Sequence, residues 1–178
     1  MLRNQETDIA VILSEGIVKD IIMGNPSKIV QTYVQSPLIW GIHVSTASSY
    51  QKLSDIKDKK VAVSRLGSGS HLMAFVNAKK QNWQTDNLEF EIVNTIDGAV
   101  EALTTGKADY FMWERFMTKP WVDKGVFRRI ADCPTPWPCF VIAVSNDFLE
   151  KNSQTVARIL EIINTTTEEF KDIPSIDR

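Results

Sequence analysis

The chain has 178 residues, of which 43% are hydrophobic, and its 22 acidic and 20 basic residues nearly cancel. This composition is typical of a soluble globular protein with one ample core or two small ones. Neither charge gathers into a long block, which argues against nucleic acid or an anionic membrane as the main partner. No apolar stretch approaches the roughly 20 residues of a membrane span, and residues 1–8 lack the features of a signal peptide.

The first part of the chain lacks a regular alternation of strands and helices. Residues 8–13 form an apolar run that predicts a buried strand, and the apolar residues of 17–22 have helical spacing. Two β-rich segments, 28–35 and 38–45, then follow in succession. Residues 46–60 are polar with few apolar anchors, which predicts a surface connection that carries a short helix.

From residue 61 onward strands and helices alternate. The predicted strands are 61–64, 88–93, 109–113, 127–130 and 139–145, and the predicted helices are 70–81, 97–105, 114 to about 125, and 153–170. Asp97 is expected to cap the second of these helices, and Gly106 to end it. The alternation predicts an α/β fold with mixed, mostly parallel sheets covered by helices.

Two polar or proline-rich connections divide this pattern. They bracket a compact block, residues 46–135, which we predict to be one lobe. The segments on both sides, 1–45 and 136–178, form a second, discontinuous lobe, here named lobe 1. This topology is typical of a two-lobed clamp that holds its ligand between the lobes, with the crossing segments as the hinge.

Polar and aromatic residues follow four of the predicted strands. In open α/β sheets ligands bind beyond the carboxyl ends of the strands, so these residues are candidates for ligand binding. The candidates at strand ends are Ser14, Glu15, Ser64, Arg65, Gly67, Ser68, Gly69, Ser70, His71, Asn94, Trp113 and Glu114. Tyr33 and Gln35, at the outgoing hinge, are added because hinge residues can line the cleft.

The segment 61–71 is the centre of this candidate site. A strand that ends in Gly67-Ser-Gly-Ser70 and opens a helix presents unpaired backbone N–H groups at the positive end of the helix dipole. Such a turn suits an anion or a strong hydrogen-bond acceptor. The same residues also suit a plain strand–helix turn with Ser70 as the N-cap.

Each of the neighbouring side chains also suits either a ligand-binding role or a structural one. Arg65 suits an anionic ligand but also a surface position, and His71 suits a hydrogen bond to the ligand or a capping role. Trp113 can offer a flat face to a ligand or belong to the core, while Glu114 can accept from a cationic or amide group or remain solvated. Trp137, among the prolines of the return connection, is expected to pin the two lobes.

The chain contains two cysteines, Cys133 and Cys139, which flank the proline-rich segment 134–138. Two cysteines do not make a disulfide framework in a chain of this size, and the sequence leaves open whether they are bridged. No Cys-x-x-Cys or His-x-x-x-His pair is present. We therefore expect no metal site and no cofactor.

Short motifs occur along the chain in a characteristic order. Residues 53–63 read Leu-Ser-Asp-Ile-Lys-Asp-Lys-Lys-Val-Ala-Val and are similar to the family pattern Asp-Leu-Lys-Gly-Lys-x-Val-Ala-Val. The other motifs are residues 7–10, 14–16, 67–71, 102–109, 112–114, 138–142 and 147–149. In this order they resemble, over almost the whole chain, the substrate-binding proteins of the nitrate/sulfonate/taurine and thiamine-pyrimidine type, which have the type II periplasmic-binding-protein fold.

The resemblance implies a non-enzymatic clamp that captures a small polar or anionic solute in the cleft between the lobes. The solute would be a sulfonate, a carboxylate, a nitrate-like anion or a pyrimidine, delivered to the permease of an ABC transporter. Such proteins usually begin with a signal peptide and a strand-helix-strand unit that precedes the motif at 7–10. That unit is missing here, so lobe 1 is expected to be incomplete and to promote self-association through an uncovered edge or face.

The resemblance leaves the location and two other functions open. The chain would be periplasmic or lipid-anchored if it is a fragment of a typical member, and cytoplasmic if Met1 is the native start. The thiamine-pyrimidine branch includes enzymes, although no nucleophile elbow or phosphate-binding loop is present here. Effector domains of some transcription factors share the clamp, so a ligand-sensing domain is the third alternative.

Overall fold

The computed structural model describes residues 2–174. Strands β1 to β8 are Ile9–Leu13, Ser27–Val34, Ile39–Ser45, Val61–Val63, Phe90–Ile92, Tyr110–Glu114, Phe127–Pro134 and Phe140–Ser145. Helices α1 to α6 are Ser14–Ile22, Gly69–Lys80, Ile96–Thr104, Arg115–Asp123, Asn146–Lys151 and Ser153–Asp172. Two short 3₁₀ turns, Leu2–Asn4 and Leu53–Ile56, complete the described elements.

Three local predictions differ from the structure. Helix α5 is not predicted, because its six residues are too few to show an apolar stripe. Strand β7 continues to Pro134, beyond the predicted end at 130, since it pairs with β3 along its whole length. Thr95, and not Asp97, caps α3, because the Thr95 hydroxyl oxygen accepts the Gly98 N–H at 3.1 Å.

The chain divides into two compact units. The first unit is Met1–Gln35 with Phe140–Arg178, and the second unit is Ser36–Cys139. The sequence predicts lobe boundaries between residues 45 and 46 and between residues 135 and 136. These boundaries would place β3 in lobe 1, which corresponds to the first unit. In the structure β3 pairs with β6 and β7 and is therefore part of the second unit.

The first unit contains a three-stranded antiparallel sheet in the order β1-β8-β2. Strand β8 comes from the distant end of the chain and lies between the two strands near the start. Helix α1 packs on this sheet, where Ile17 contacts a core that also includes Leu2, Val141 and Ala143. Strand β2 has two register irregularities along its pairing with β8.

The second unit contains a five-stranded sheet in the order β5-β4-β6-β3-β7. Strand β4 is parallel to β5 and β6, whereas β3 is antiparallel to β6 and β7. Helices cover both faces of the sheet, and each face has its own apolar cluster. Met112 of β6 belongs to one cluster, and the adjacent residue Phe111 belongs to the other. Trp40 is buried in the first of these clusters.

The prediction of mostly parallel sheets is wrong. Among the described strands, only the β4–β5 and β4–β6 ladders are parallel, and the remaining ladders are antiparallel. Parallel neighbours need a crossover, and here α2 and α3 supply the crossovers that link β4, β5 and β6. The alternation of elements in a sequence shows where strands occur but not which strands become neighbours. Within residues 2–174, no helix has both the length and the hydrophobicity needed to cross a membrane.

Candidate functional site

Three parallel strands of the second unit end at the same edge of its sheet. The register pairs Val63 of β4 with Ile92 of β5, and Ala62 with Phe111 of β6, so the three carboxyl ends are adjacent. Helices α2, α3 and α4 each begin just after one of these strands. We call this the carboxyl edge of the second unit. It carries the predicted site residues Ser64, Arg65, Gly67, Ser68, Gly69, Ser70, His71, Asn94, Trp113 and Glu114.

Three serine hydroxyls form a buried network in the turn between β4 and α2. The Ser64 backbone N–H donates to the Ser70 hydroxyl at 3.0 Å, and the Ser68 and Ser70 hydroxyl oxygens lie 3.0 Å apart. Ser68, rather than Ser70, caps α2, because its hydroxyl oxygen accepts the His71 backbone N–H at 3.3 Å. All three serines are buried, and Ser70 is only 1% exposed. These hydroxyls form hydrogen bonds within the turn. A ligand at this place would therefore bind to backbone N–H groups of the first turn of α2.

His71 supports the same turn from the first turn of the helix. Its Nδ1 accepts the Gly67 backbone N–H at 3.1 Å, in a turn where Gly67 has a φ of +76°. The ring packs edge-on against Phe75 and Phe90, with centroid distances of 5.1 and 4.6 Å. The positive φ is a conformation that only glycine adopts at low cost. His71 therefore contributes to the structure of the turn.

Arg65 and Asn94 are the predicted site residues whose polar side chains are exposed at the carboxyl edge. Arg65 is exposed at the tip of the turn after β4. Asn94 follows β5 with a φ of +60°, and its N–H donates to the Ser64 carbonyl at 3.1 Å. This bond joins the two turns, so both polar side chains are presented to solvent from neighbouring strand ends.

Trp113 and Glu114 complete the carboxyl edge at the end of β6. The Trp113 ring is half-buried, stacks on Phe111 at 5.4 Å and meets the Trp40 ring edge-on at 6.1 Å. The Glu114 carboxylate accepts the backbone N–H groups of Phe116 at 3.0 Å and of Met117 at 2.9 Å. Glu114 is therefore the N-cap of α4, a role that satisfies its charge within the protein.

The sequence reasoning missed an ionic cluster beside α4. Arg115 Nη1 lies 3.5 Å from one carboxylate oxygen of Asp132, and Arg129 Nε lies 3.6 Å from the other. Two guanidinium groups thus share one carboxylate, and the Arg115 guanidinium also covers the Phe116 ring at 4.8 Å. Arg115 directly follows the Trp113-Glu114 pair, and that position at a strand end was the available signal.

A buried histidine lies under the same cluster. His43 of β3 is fully buried, and its Nε2 lies 2.9 Å from the Thr118 hydroxyl oxygen of α4. Burial lowers the pKa of His43 from 6.5 to about 4, with a further lowering by the charge of Arg129. The imidazole is therefore neutral near pH 7 and forms part of the contact between β3 and α4.

The remaining predicted site residues lie in the first unit. Ser14 and Glu15 follow β1, and Tyr33 and Gln35 lie at the end of β2. Leu13 of β1 and Val34 of β2 both pair with Phe140 of β8, so the two groups share one end of this sheet. Ser14 is buried, Glu15 is half-buried, and Tyr33 and Gln35 are exposed.

Both connections between the units leave the second unit at its carboxyl edge. The Thr135 backbone N–H donates to the Leu38 carbonyl at 3.0 Å, and the Leu38 N–H donates to the Thr135 hydroxyl at 3.1 Å. The Cys139 N–H donates to the Ser36 carbonyl, also at 3.0 Å. These bonds join the outgoing segment to the returning one. Trp137 of the returning segment packs against the core of the second unit.

The two cysteines are buried and are not bonded to each other. Burial raises the pKa of the Cys133 thiol, which disfavours the reactive thiolate. Among residues 2–174, no group of three or more His, Cys, Asp and Glu side chains is arranged to hold a metal ion.

Comparison with known proteins shows similarity to several solved structures. A search of curated proteins gave no match. Among solved structures, the Candida albicans CA3427 gene product, which has the generic periplasmic binding protein fold, is 28% identical with a TM-score of 0.81. The alignment covers 96% of this chain and 57% of that one.

Two sulfonate-binding proteins named SsuA are similar in fold. The protein from Methylobacillus flagellatus KT is 19% identical with a TM-score of 0.75, over 94% of this chain and 51% of its own. The Escherichia coli protein is 18% identical with a TM-score of 0.74, over 91% of this chain and 55% of its own. The chain thus spans little more than half the length of these solved chains.

The structural likeness confirms the predicted resemblance to the type II periplasmic-binding-protein fold, of which this chain matches a part. The family model described as Ca3427-like PBP, where PBP denotes periplasmic binding protein, matches residues 40–133. This match covers more than half of the chain and includes β4 to β6 and most of β3 and β7. The chain therefore belongs to the Ca3427-like family of periplasmic binding proteins.

Proposed function

We propose that the chain is the solute-binding part of a two-lobed clamp, in which the first and second units are the lobes and a small molecule binds between them. The observation that carries the proposal is the carboxyl edge of the second unit. There three parallel strands end, three helices begin, and both connecting segments depart. Ligands of open α/β sheets bind at such edges.

The electrostatics of the carboxyl edge favour an anionic or strongly polar solute. Three helix N-termini point their positive ends to this edge, and Arg65 is exposed beside the first of them. The Arg115 and Arg129 guanidinium groups share the single Asp132 carboxylate, which leaves positive charge in excess there. Glu114 offsets part of the field at α4, and Asp97, in the first turn of α3, offsets part of the field there. A carboxylate, sulfonate or nitrate-like anion fits this edge, and Trp113 offers a face to a pyrimidine.

The first unit would supply the other side of the cleft. Ser14, Glu15, Tyr33 and Gln35 share the end of its sheet from which the chain continues into the second unit. In this proposal they close over a solute that is held by the carboxyl edge. Sulfonate-binding SsuA proteins of similar fold support the choice of sulfonates as the first compounds to test.

A transport role is the second part of the proposal. The SsuA protein of Methylobacillus flagellatus is described as the periplasmic component of a sulfonate ABC transporter, and a Staphylococcus aureus protein of related fold as the ligand-binding component of an ABC-type import system. We therefore propose an ABC permease as the macromolecular partner. Mass spectrometry of the ligand after incubation separates this binder from an enzyme, because a binder returns the ligand unchanged.

Thermal unfolding with a panel of small solutes tests the proposal. The panel contains ethanesulfonate, acetate, nitrate and a hydroxymethylpyrimidine. A solute at 100 times its Kd stabilises the native state by about 2.7 kcal/mol, so one class should raise the melting temperature by several degrees. In ¹H–¹⁵N spectra the same solute should shift the amide signals of Gly69, Ser70 and Asn94.

Arg65→Glu should abolish the stabilisation by an anion, because it places a carboxylate at the exposed tip of the carboxyl edge. Lys79→Glu is the matched control, since Lys79 is exposed at the opposite end of α2 and undergoes the same change of charge. Equal stabilisation of both variants, or amide shifts confined to residues away from the carboxyl edge, would contradict the proposed site.

A further inference from the structure

The exposed large apolar side chains of the second unit are concentrated at one edge of its sheet. Within residues 36–139, all of which the structure describes, these side chains are Leu66, Leu72, Ile92, Phe116 and Met117. Each lies at the end of a parallel strand, in the turn after it or in the first turn of the following helix. Within the same residues, the opposite edge carries none. Scattered apolar residues are normal on a protein surface, whereas such a concentration marks a binding surface.

Two of these side chains belong to the first turn of α4. Phe116 is 67% exposed and Met117 is 55% exposed. The Cα–Cβ bonds of a helix tilt toward its N-terminus, so both side chains lean toward the carboxyl edge. The guanidinium carbon of Arg115 lies 4.8 Å from the centre of the Phe116 ring. The ring therefore contacts a cation and still presents most of its surface to solvent.

The turn after β4 has the same combination of charge and apolar surface. Arg65 and Leu66 are consecutive and exposed, Leu66 to 61%. Strands β4 and β6 are neighbours in the sheet, so this turn and the start of α4 follow adjacent strands. Each of these two strand ends thus carries an arginine followed directly by a large apolar side chain. The half-buried ring of Trp113 adds an aromatic group at the end of β6.

We propose that the solute of the carboxyl edge is an aromatic anion, namely an aryl sulfonate or an aryl carboxylate. This inference rests on the proposed function and narrows its solute class to anions that carry a ring. The backbone N–H groups of the first turn of α2 and the Arg65 guanidinium bind the anionic group. The ring lies against Phe116 and Met117, with Leu66 at its margin.

The side chains that meet the ring favour an aromatic group over an aliphatic one. Two aromatic rings in an offset or edge-on contact strengthen binding about 2- to 12-fold beyond the effect of buried area. The Met117 sulfur and the Arg115 guanidinium also interact favourably with aromatic rings. A small anion without a ring, such as nitrate or acetate, would leave all of these side chains exposed.

The charges at this edge support a solute as the occupant and argue against a second copy of the chain. Arg65 and the N-terminus of α2 are positive, and Arg115 shares the Asp132 carboxylate with a second arginine. The Glu114 carboxylate is engaged by backbone N–H groups at the start of α4. A second copy would bring the same positive groups against this edge, whereas an anion neutralises them.

Isothermal titration calorimetry of the full chain with matched anions tests the inference. Benzenesulfonate and cyclohexanesulfonate form one pair, benzoate and cyclohexanecarboxylate form another, and ethanesulfonate is the small reference anion. An aromatic anion should bind about 2- to 12-fold more tightly than its cyclohexyl counterpart. It should bind at least about 10-fold more tightly than ethanesulfonate, because its ring buries more apolar surface.

The outcomes separate this inference from the proposed function. Equal affinities within both pairs, or tighter binding of the cyclohexyl compounds, would overturn the aromatic preference and leave an anion-binding clamp intact. If none of the five anions binds, the proposed function fails together with the inference.

Substitutions of Phe116 test the position of the ring. Phe116→Ala should weaken binding of the tighter aromatic anion, benzenesulfonate or benzoate, about 10-fold more than binding of ethanesulfonate. Phe116→Leu should remove the preference for the aromatic member of each pair. Phe170→Ala is the matched control, because Phe170 is 51% exposed on α6 of the first unit, and its anion affinities should equal those of the wild type. Circular dichroism verifies that each variant keeps the fold.

Nuclear Overhauser effects and sedimentation complete the test. The ring protons of the bound anion should show Overhauser effects to the methyl groups of Met117 and Leu66. Effects confined to other methyl groups would overturn the proposed position. A chain that self-associates, and that Phe116→Ala makes monomeric without a change in anion affinity, would show that the apolar side chains form a protein interface instead.

Discussion

His43 shows how a single buried side chain couples the second unit to pH. It lies on β3 with its Nε2 2.9 Å from the Thr118 hydroxyl oxygen, and a Cβ at Gly41 would lie only 2.5 Å from its ring. The side chain is fully buried, so protonation would place a cation out of contact with solvent and near Arg129. The native state therefore favours the neutral form of the His43 imidazole.

We expect the free energy of unfolding to fall as the pH is lowered from about 6.5 to about 4. His43 has a pKa of about 4 in the folded chain against 6.5 when unfolded, so the unfolded state binds more protons between these values. At 1.36 kcal/mol per pKa unit, the loss amounts to about 3 kcal/mol. Urea unfolding at a series of pH values measures it.

His43→Gln should flatten this pH dependence, even though the substitution itself lowers stability. Thr118→Val is the comparison, because it removes the hydroxyl beside Nε2 but keeps the imidazole buried, so the pH dependence should persist. The assignment fails if the His43→Gln chain retains the full pH dependence between 4 and 6.5.

Helix α3 illustrates a constraint at the scale of an element. The backbone of its first turn lies very close to the segment that follows β5. A Cβ on Gly98 would therefore collide with the carbonyl oxygen of Val93. The Thr95 hydroxyl oxygen accepts the Gly98 N–H, and this hydrogen bond stabilises the same close contact. The backbone of Val93 is itself bonded to Val63 of β4, so it cannot shift without breaking the sheet. The glycine is therefore required by close packing of helix and strand.

Gly98→Ala should destabilise the chain by about 1–3 kcal/mol, the usual cost of overpacking. Gly16→Ala is the matched comparison, because Gly16 lies inside α1 with no atom within 4 Å of a new Cβ. That change should stabilise by about 0.5–1 kcal/mol, since alanine has the higher helix propensity. Chemical denaturation of both variants measures the difference, and a Gly98→Ala chain as stable as wild type would refute the close approach.

At the scale of the whole molecule, the two units differ in how the chain builds them. The second unit is one continuous segment, 36–139, that contains all five strands of its sheet and both of its apolar clusters. In the first unit β1 and β2 do not pair with each other, and both depend on β8 from the far end of the chain.

We therefore expect a fragment of residues 36–139 to fold alone with a cooperative thermal transition. A fragment of residues 1–35, which contains β1, α1 and β2, should remain unfolded because the central strand β8 is absent from it. Circular dichroism and calorimetry of the two fragments test this difference. A gradual, non-cooperative transition for 36–139 would show that the second unit depends on the first.

The sequence by itself determined the order of most helices and strands, the α/β class and the polar strand ends, because hydrophobic periodicity and turn residues are local signals. Tertiary structure alone decided the strand directions and the assignment of β3 to the second unit. It also brought Arg115, Arg129 and Asp132 together. These features depend on contacts between residues distant in the chain, which local patterns do not encode.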